Sequence, residues 1–203
     1  MITIVDYGLG NIHAFVDIYR RLGVPVRTAS SVAALAEPGR LILPGVGAFD
    51  SAMERLNTSG MRDTLERLVL EDGIPVLGVC VGMQMMAGTS TEGRLPGLNW
   101  IPGRVERFAV AGDVGVPAVP HMGWNDVSPR VGGGLFGGIE APRFYFLHSY
   151  YYCTQSEETI LSTTDYGHRF TSAVRSRNVF GTQFHPEKSH HWGVQLLKNF
   201  AEV

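Results

Sequence analysis

Gly78-Val79-Cys80-Val81-Gly82 is the segment whose residue types and spacing most directly allow chemistry. The apolar run Val76 to Val79 enters it, and Val81 to Ala87 can form the helix that leaves it. This is the nucleophile-elbow layout with Cys in place of Ser. The flanking glycines remove side chains where a sharp strand-to-helix turn would clash, leaving the sulfur at the carboxyl edge of a sheet. Backbone N–H groups at a helix start also favour a thiolate. An isolated cysteine is more often a buried packing residue; the strand–turn–helix setting shifts the balance toward a nucleophile.

A thiol nucleophile needs a base, and the base needs an orienter. His185 and Glu187 stand two apart in Thr182-Gln183-Phe184-His185-Pro186-Glu187, at the end of an apolar run. An extended backbone would send both side chains to one face, and Pro186 stiffens that geometry. Alone, H-x-E is explained as well by a surface loop. Beside the elbow it completes a Cys-His-Glu set of the triad kind.

Other chemistries fit less well. Gly8-x-Gly10 follows a strand, but the third glycine of a dinucleotide fingerprint would fall at His13. No phosphate-cradling G-x-x-x-x-G-K-[ST] occurs. The seven histidines lack C-x-x-C or H-E-x-x-H spacing, so no metal or cofactor is expected. His190 and His191 read as solvated residues before a last helix, and Cys153, after Tyr150-Tyr151-Tyr152, as packing.

The elements that must position these residues alternate in the first half of the chain. Ile2 to Asp6, Val24 to Thr28, Arg40 to Leu43 and Val76 to Val79 read as strands. Between them, Asn11 is placed to cap a helix carrying Ile12, Phe15, Val16, Tyr19 and Leu22 on one face and stopping at Gly23. Ser30 or Ser31 is placed to cap a short helix, and Ser59 to Leu70 reads as another. Gly88 to Pro142 is rich in Gly and Pro. Beyond it Phe144 to Leu147, Thr159 to Ser162, Phe170 to Val174 and Val179 to Phe184 read as short, partly antiparallel strands. Trp192, Leu196, Leu197 and Phe200 mark a closing helix. The expected fold class is α/β, an open, mostly parallel sheet flanked by helices.

Composition sets the outer limits. With 203 residues and no linker, a single domain over 1–203 is expected. An apolar fraction of 44% and a charged fraction of 18% exclude intrinsic disorder. The net charge of −2 gives no basic excess for nucleic acid, and no apolar run is long enough for a bilayer. Met1 leads straight into Ile2 to Val5 without a basic leader, and Cys80 and Cys153 cannot form a disulfide framework. A cytoplasmic setting, with no membrane association, is the expectation.

Val76-Leu77-Gly78-Val79-Cys80-Val81-Gly82-Met83-Gln84 together with Gln183-Phe184-His185-Pro186-Glu187 resembles the class I (triad) glutamine amidotransferases. Asp6 to Asn11, Leu43 to Phe49, Pro120 to Asn125, His148-Ser149-Tyr150, Thr164 to Gly167 and Glu187-Lys188-Ser189 narrow the resemblance to the glutaminase subunits of imidazole glycerol phosphate synthase. It implies a flavodoxin-like amidotransferase fold with some antiparallel C-terminal strands. It also implies that Cys80 attacks the amide of L-glutamine to form a γ-glutamyl thioester, with His185 moving protons and Glu187 orienting it. The family's oxyanion strand would be Gly45-Val46-Gly47, with backbone donors at Val46, Gly47 and Val81, and Gly45 flanking the substrate. Gln84 and Glu92 would hold the amino-acid end, with Glu92 suited to the ammonium, and the backbone at His148, Ser149 and Tyr150 would face the carboxylate.

The partner implied is a TIM-barrel cyclase subunit, which receives ammonia and converts a ribulosyl-carboxamide nucleotide to imidazole glycerol phosphate and an aminoimidazole carboxamide ribotide, a step of histidine biosynthesis. Asn11, Trp124, Tyr145 and Lys188 match positions near that interface. Glutaminases serving pyridoxal phosphate or anthranilate synthases carry Gly-Gly-Glu-Ser or a Ser-Pro-Gly run where this chain has Pro-Gly-Val-Gly. A catalytically dead regulatory subunit would show a broken triad, and a hydrolase of peptides or γ-glutamyl chains would leave His121-Met122-Gly123-Trp124-Asn125 unexplained.

Overall fold

A computed structural model of the chain describes residues 1–109, 118–130 and 134–203. Its elements run β1 (Ile2–Val5), α1 (Ile12–Arg21), β2 (Val26–Ala29), β3 (Arg40–Gly45), α2 (Phe49–Thr58), α3 (Arg62–Glu66), β4 (Val76–Cys80) and α4 (Val81–Gln84). Then come β5 (Thr89–Ser90), β6 (Gly103–Arg107), β7 (His121–Asp126), β8 (Ser128–Pro129), β9 (Arg143–His148) and β10 (Tyr150–Thr154). The chain closes with β11 (Ile160–Tyr166), β12 (His168–Ser176), β13 (Val179–Thr182) and α5 (His190–Glu202).

Five strands, in the order β2-β1-β3-β4-β13, are mutually parallel and form the doubly wound half of the sheet. Apart from the edge strand β2 (Val26-Arg27-Thr28-Ala29), their residues are buried almost without alternation, because helices cover both faces. The sheet continues through antiparallel β12, β10 and β6, with β11 on β12. β7 and β9 form a separate antiparallel pair, with His121 opposite His148 and Trp124 opposite Tyr145. The expected mostly parallel sheet with antiparallel C-terminal strands is therefore the observed one.

Several boundaries differ from those the sequence suggested. The helix expected over Ser59 to Leu70 is two pieces: α2 ends at Thr58, Gly60 turns the chain at φ +71°, and α3 passes into a π turn over Arg67–Glu71. α2 itself was overlooked, although Phe49, Ala52, Met53 and Leu56 bury one face. Its first N–H, on Phe49, donates to the carboxylate of Glu92, 43 residues away, so the start signal is tertiary. Asn11 sits at the N-cap of α1, but its side chain makes no capping hydrogen bond. The helix leaving the elbow is one turn, Val81–Gln84, rather than reaching Ala87. His190 and His191 are exposed but belong to the first turn of α5.

Candidate active site

Three neighbouring parallel strands carry the elbow, the loop beside it and the His-Glu pair to one edge of the sheet. In register, Gly45 at the end of β3 pairs with Cys80 at the end of β4, and Val79 pairs with Thr182 at the end of β13. Cys80 has φ +56° and ψ −113°, a conformation that side chains rarely adopt and that costs on the order of 1–3 kcal/mol. Glycines make the turn possible. A Cβ on Gly82 would fall on the carbonyl oxygen of Leu43, one on Gly45 would fall on the amide of Gly82, and one on Gly78 would stand 2.6 Å from the carbonyl oxygen of Gly82. Backbone thus packs on backbone between β3, β4 and α4.

The N-terminal Gly-rich block braces the same edge. Tyr7 donates its hydroxyl to the carbonyl of Pro44 at 2.6 Å, and Gly10, at φ +101°, lies so close to Pro44 that a Cβ would stand 2.6 Å from its side chain. This fixes the strand end immediately before Val46 and Gly47.

His185 does not reach the site on an extended strand. β13 stops at Thr182, and Pro186 opens a 3₁₀ turn over Pro186–Lys188. The turn folds Glu187 back, placing its Oε1 2.9 Å from His185 Nδ1. Both side chains are buried. Burial alone would lower the His185 pKa, but hydrogen bonds and charge from Cys80 and Glu187 outweigh it and raise the pKa to about 10. The direction favours the protonated ring, held between Glu187 and Cys80. Cys80 also meets the carbonyl of Leu147 at 3.9 Å and the side-chain N–H of Gln183 at 3.8 Å.

The sulfur opens into a cavity of about 290 Å³. Val46, Gly47, Val81, Gln84, Glu92, His148, Ser149, Tyr150 and Lys188 line it together with Cys80 and His185. Gly45 is not among the lining residues; it pairs with Cys80 and packs against Val81 and Gly82. Gln84 is buried and spends its amide N–H groups on Tyr150 O (3.1 Å) and Gln183 Oε1 (3.0 Å), which ties α4 to β10. Glu92 is shared between the cavity and the start of α2.

Of the remaining candidates, Trp124 is 36% exposed, lies edge-on to Tyr145 and stacks on His190, while Lys188 reaches over the Tyr145 ring. Asn11 is exposed at the start of α1 and does not line the cavity. Sequence reasoning missed Gln183 and His121, although both lie inside the motifs it used. Cys153 sits in β10, where burial first, and the nearby Glu106 second, push its thiol up to about 11. Among the described residues, no group of three or more His, Cys, Asp or Glu is arranged to hold a metal, and no helix is long and apolar enough to cross a membrane.

The model of the family "Glutamine amidotransferase class-I" matches residues 3–203. The imidazole glycerol phosphate synthase subunit HisH of Bdellovibrio bacteriovorus is 58% identical over 205 residues, covering all of both chains. The subunit of the same name from Leptospira interrogans is 47% identical over 204 residues, again over all of both. A solved glutamine amidotransferase superposes over the full length of both chains with a TM-score of 0.76 at 20% identity, a likeness of fold. With a strained cysteine, its histidine and its carboxylate at one sheet edge, and with full-length relatives of this kind, the chain belongs to the class I glutamine amidotransferases, among the HisH subunits of imidazole glycerol phosphate synthase.

Proposed function

We propose that the chain, acting as one domain, hydrolyses L-glutamine to L-glutamate and ammonia at Cys80 and passes the ammonia to a TIM-barrel cyclase subunit. The observation that carries this is His185, which lines one cavity together with Cys80 and is hydrogen-bonded through Nδ1 to the buried Glu187 behind it. Nδ1 faces Glu187, leaving Nε2 for the sulfur and the substrate. The Cys80 sulfur attacks the side-chain amide carbon. Backbone donors at Val46, Gly47 and Val81 receive the tetrahedral oxygen, and His185 gives its proton to the departing nitrogen, releasing NH₃ and leaving a γ-glutamyl thioester. Water then attacks, its proton goes back to His185, and glutamate departs as the sulfur is freed. Glu92 receives the substrate ammonium with the carboxylate oxygen not held by Phe49, and the Ser149–Tyr150 backbone receives its carboxylate end.

The cavity mouth supports the partner. Val46, Met122, Trp124 and Leu147 are exposed large apolar residues, and register places Met122 beside Leu147 and Trp124 beside Tyr145. Because strand residues alternate, Met122, Trp124, Tyr145 and Leu147 lie on the outer face of β7 and β9 while His121 and His148 lie on the inner one. An apolar rim around a reactive mouth suits a protein partner that closes it. The rim takes the cyclase, with Lys188 and Asn11 at its border, in a cytoplasmic setting suited to a biosynthetic enzyme. The test is ammonia release from glutamine by the chain alone and with the cyclase subunit and its nucleotide ligand. Strong stimulation is expected; release that does not depend on Cys80 would overturn the reading.

A further inference from the structure

Beneath the proposed docking face runs an unbroken polar thread. Asn125 donates from Nδ2 to the carbonyl of Asp165 at 3.1 Å, and the same Nδ2 stands 3.1 Å from His121 Nε2. His121 Nδ1 is 3.0 Å from His148 Nε2, and His148 Nδ1 is 2.7 Å from the carbonyl oxygen of Tyr150. That same carbonyl takes the amide of Gln84, which also donates to Gln183, which donates to the Cys80 sulfur. His121 and His148 are buried.

Only one proton arrangement satisfies the thread. A carbonyl accepts, so His148 Nδ1 must carry the hydrogen and its Nε2 must accept. His121 must then donate from Nδ1, and its Nε2 accepts from Asn125. Both rings are neutral in this arrangement, in agreement with burial, which lowers the His121 pKa to about 4 and the His148 pKa to about 3. Aromatic packing holds the rings in plane: His121 lies between Phe146 and Tyr166, with centroids 4.6 and 3.9 Å away.

We propose that His121 and His148 are positioning residues for the amidotransferase reaction, a neutral relay of fixed tautomer that sets the His148–Tyr150 turn against the glutamine cavity and, through Gln84 and Gln183, aims an N–H at the Cys80 sulfur. The inference rests on the reading of that cavity as the glutamine site. His121 and His148 face each other across β7 and β9, one residue from Met122 and Leu147 on the proposed docking face. The relay is thus the inner lining of the surface the cyclase would cover.

Two measurements test it. In the unaltered full chain, ¹⁵N resonances of labelled histidine should show His121 and His148 as neutral Nδ1–H tautomers from pH 5.5 to 8. In the complex with cyclase and nucleotide ligand, His148→Asn keeps a donor at the Nδ1 position, whereas His148→Gln moves it to the Nε2 position. The Asn variant should keep the glutamine KM within about 3-fold. The Gln variant should raise it by about 10-fold with little change in kcat, the scale of one lost hydrogen bond. Either ring observed as the Nε2–H tautomer or titrating above pH 6, or equal KM values for the two variants, would overturn the relay. Cys80-dependent ammonia release by the unaltered complex tells that failure apart from a failure of the glutamine site itself.

Discussion

His185 Nδ1 and Glu187 Oε1 stand 2.9 Å apart, with only 4% and 2% of the two side chains exposed. The pairing is local, made by one 3₁₀ turn, yet it sits wholly inside the protein. Among the described residues, the second carboxylate oxygen, Oε2, has no partner, so the Glu187 charge acts on the imidazole almost alone. Glu187→Gln keeps the shape and removes that charge. We expect kcat to fall by about 10²–10⁴ and the His185 pKa to drop below its value of about 10. His185→Ala should cost more, because among the described residues the other hydrogen-bond partners of Cys80, the Leu147 carbonyl and the Gln183 amide, cannot carry the proton. Ammonia release under saturating glutamine, with circular dichroism to verify folding, measures both.

The two cysteines should differ sharply in reactivity. Cys153 is held protonated by burial and by Glu106, and Cys80 stands in a cavity with His185, whose pKa is raised. A glutamine-mimicking electrophile should therefore label Cys80 alone, and Cys80→Ala should reduce glutaminase activity to background. Peptide mass spectrometry finding the label on Cys153 would contradict the assignment.

Gly82 tests the elbow itself. A methyl group there would displace the carbonyl of Leu43, which is backbone and cannot rotate away. Gly82→Ala should cost roughly 3 kcal/mol or more and abolish activity, since relief must separate β3 from α4. Gly23→Ala meets no neighbour, only a φ of +69°, and should cost about 1 kcal/mol with activity retained. Urea midpoints of the two variants give the comparison.

The elbow was legible in the sequence because everything it needs is local: an apolar run, two glycines and a cysteine between them. The mostly parallel sheet followed from strand and helix alternation for the same reason. What escaped was long-range. α2 is capped by Glu92 from another loop, and the wedge of Asp50 onto the N–H groups of Arg94 and Leu95 fixes that loop in turn. His185 and Glu187 were paired correctly for the wrong local reason, since a turn rather than an extended strand aims them together. His121 gave no signal because a strand histidine acquires a role only from the residue opposite it, and register is not written in one strand.

Three buried histidines give a stability optimum. Below pH 6.5 the unfolded chain protonates His121 and His148, whereas the native rings stay neutral down to about pH 4 and pH 3. Stability from this pair falls with acidification by about 1.4 kcal/mol per pH unit for each group. His185 works in the opposite sense. Its native proton, held up to about pH 10, contributes fully below pH 6.5 and is lost progressively as pH rises to 10. Denaturant midpoints should therefore peak near pH 6.5, and replacing His121 and His148 together by Asn should flatten the acid limb. An unchanged acid limb would show that the pair does not stay neutral.

Production and use of ammonia should separate cleanly. This chain carries no phosphate-cradling motif, so chemistry on a phosphorylated nucleotide falls to the proposed cyclase partner. In the assembled complex, Cys80→Ala should abolish synthesis of imidazole glycerol phosphate with glutamine as nitrogen donor. Synthesis from high ammonium at alkaline pH should persist, because free NH₃ reaches the cyclase without passing Cys80. Changes to the apolar rim should have another signature. Met122→Glu or Trp124→Ala leaves Cys80, His185 and Glu187 untouched, since those side chains point away from the inner face of β7 and β9. Such variants should still react with the electrophile at Cys80 yet lose stimulation by the partner, or release ammonia to solvent without matching product. Met122, 65% exposed, is the sharper test, because a charge there costs the isolated fold little and a sealed apolar contact much. If the Cys80→Ala complex failed with ammonium while remaining assembled, this chain would have to act in the cyclase step itself, and the division between ammonia production and ammonia use would fall.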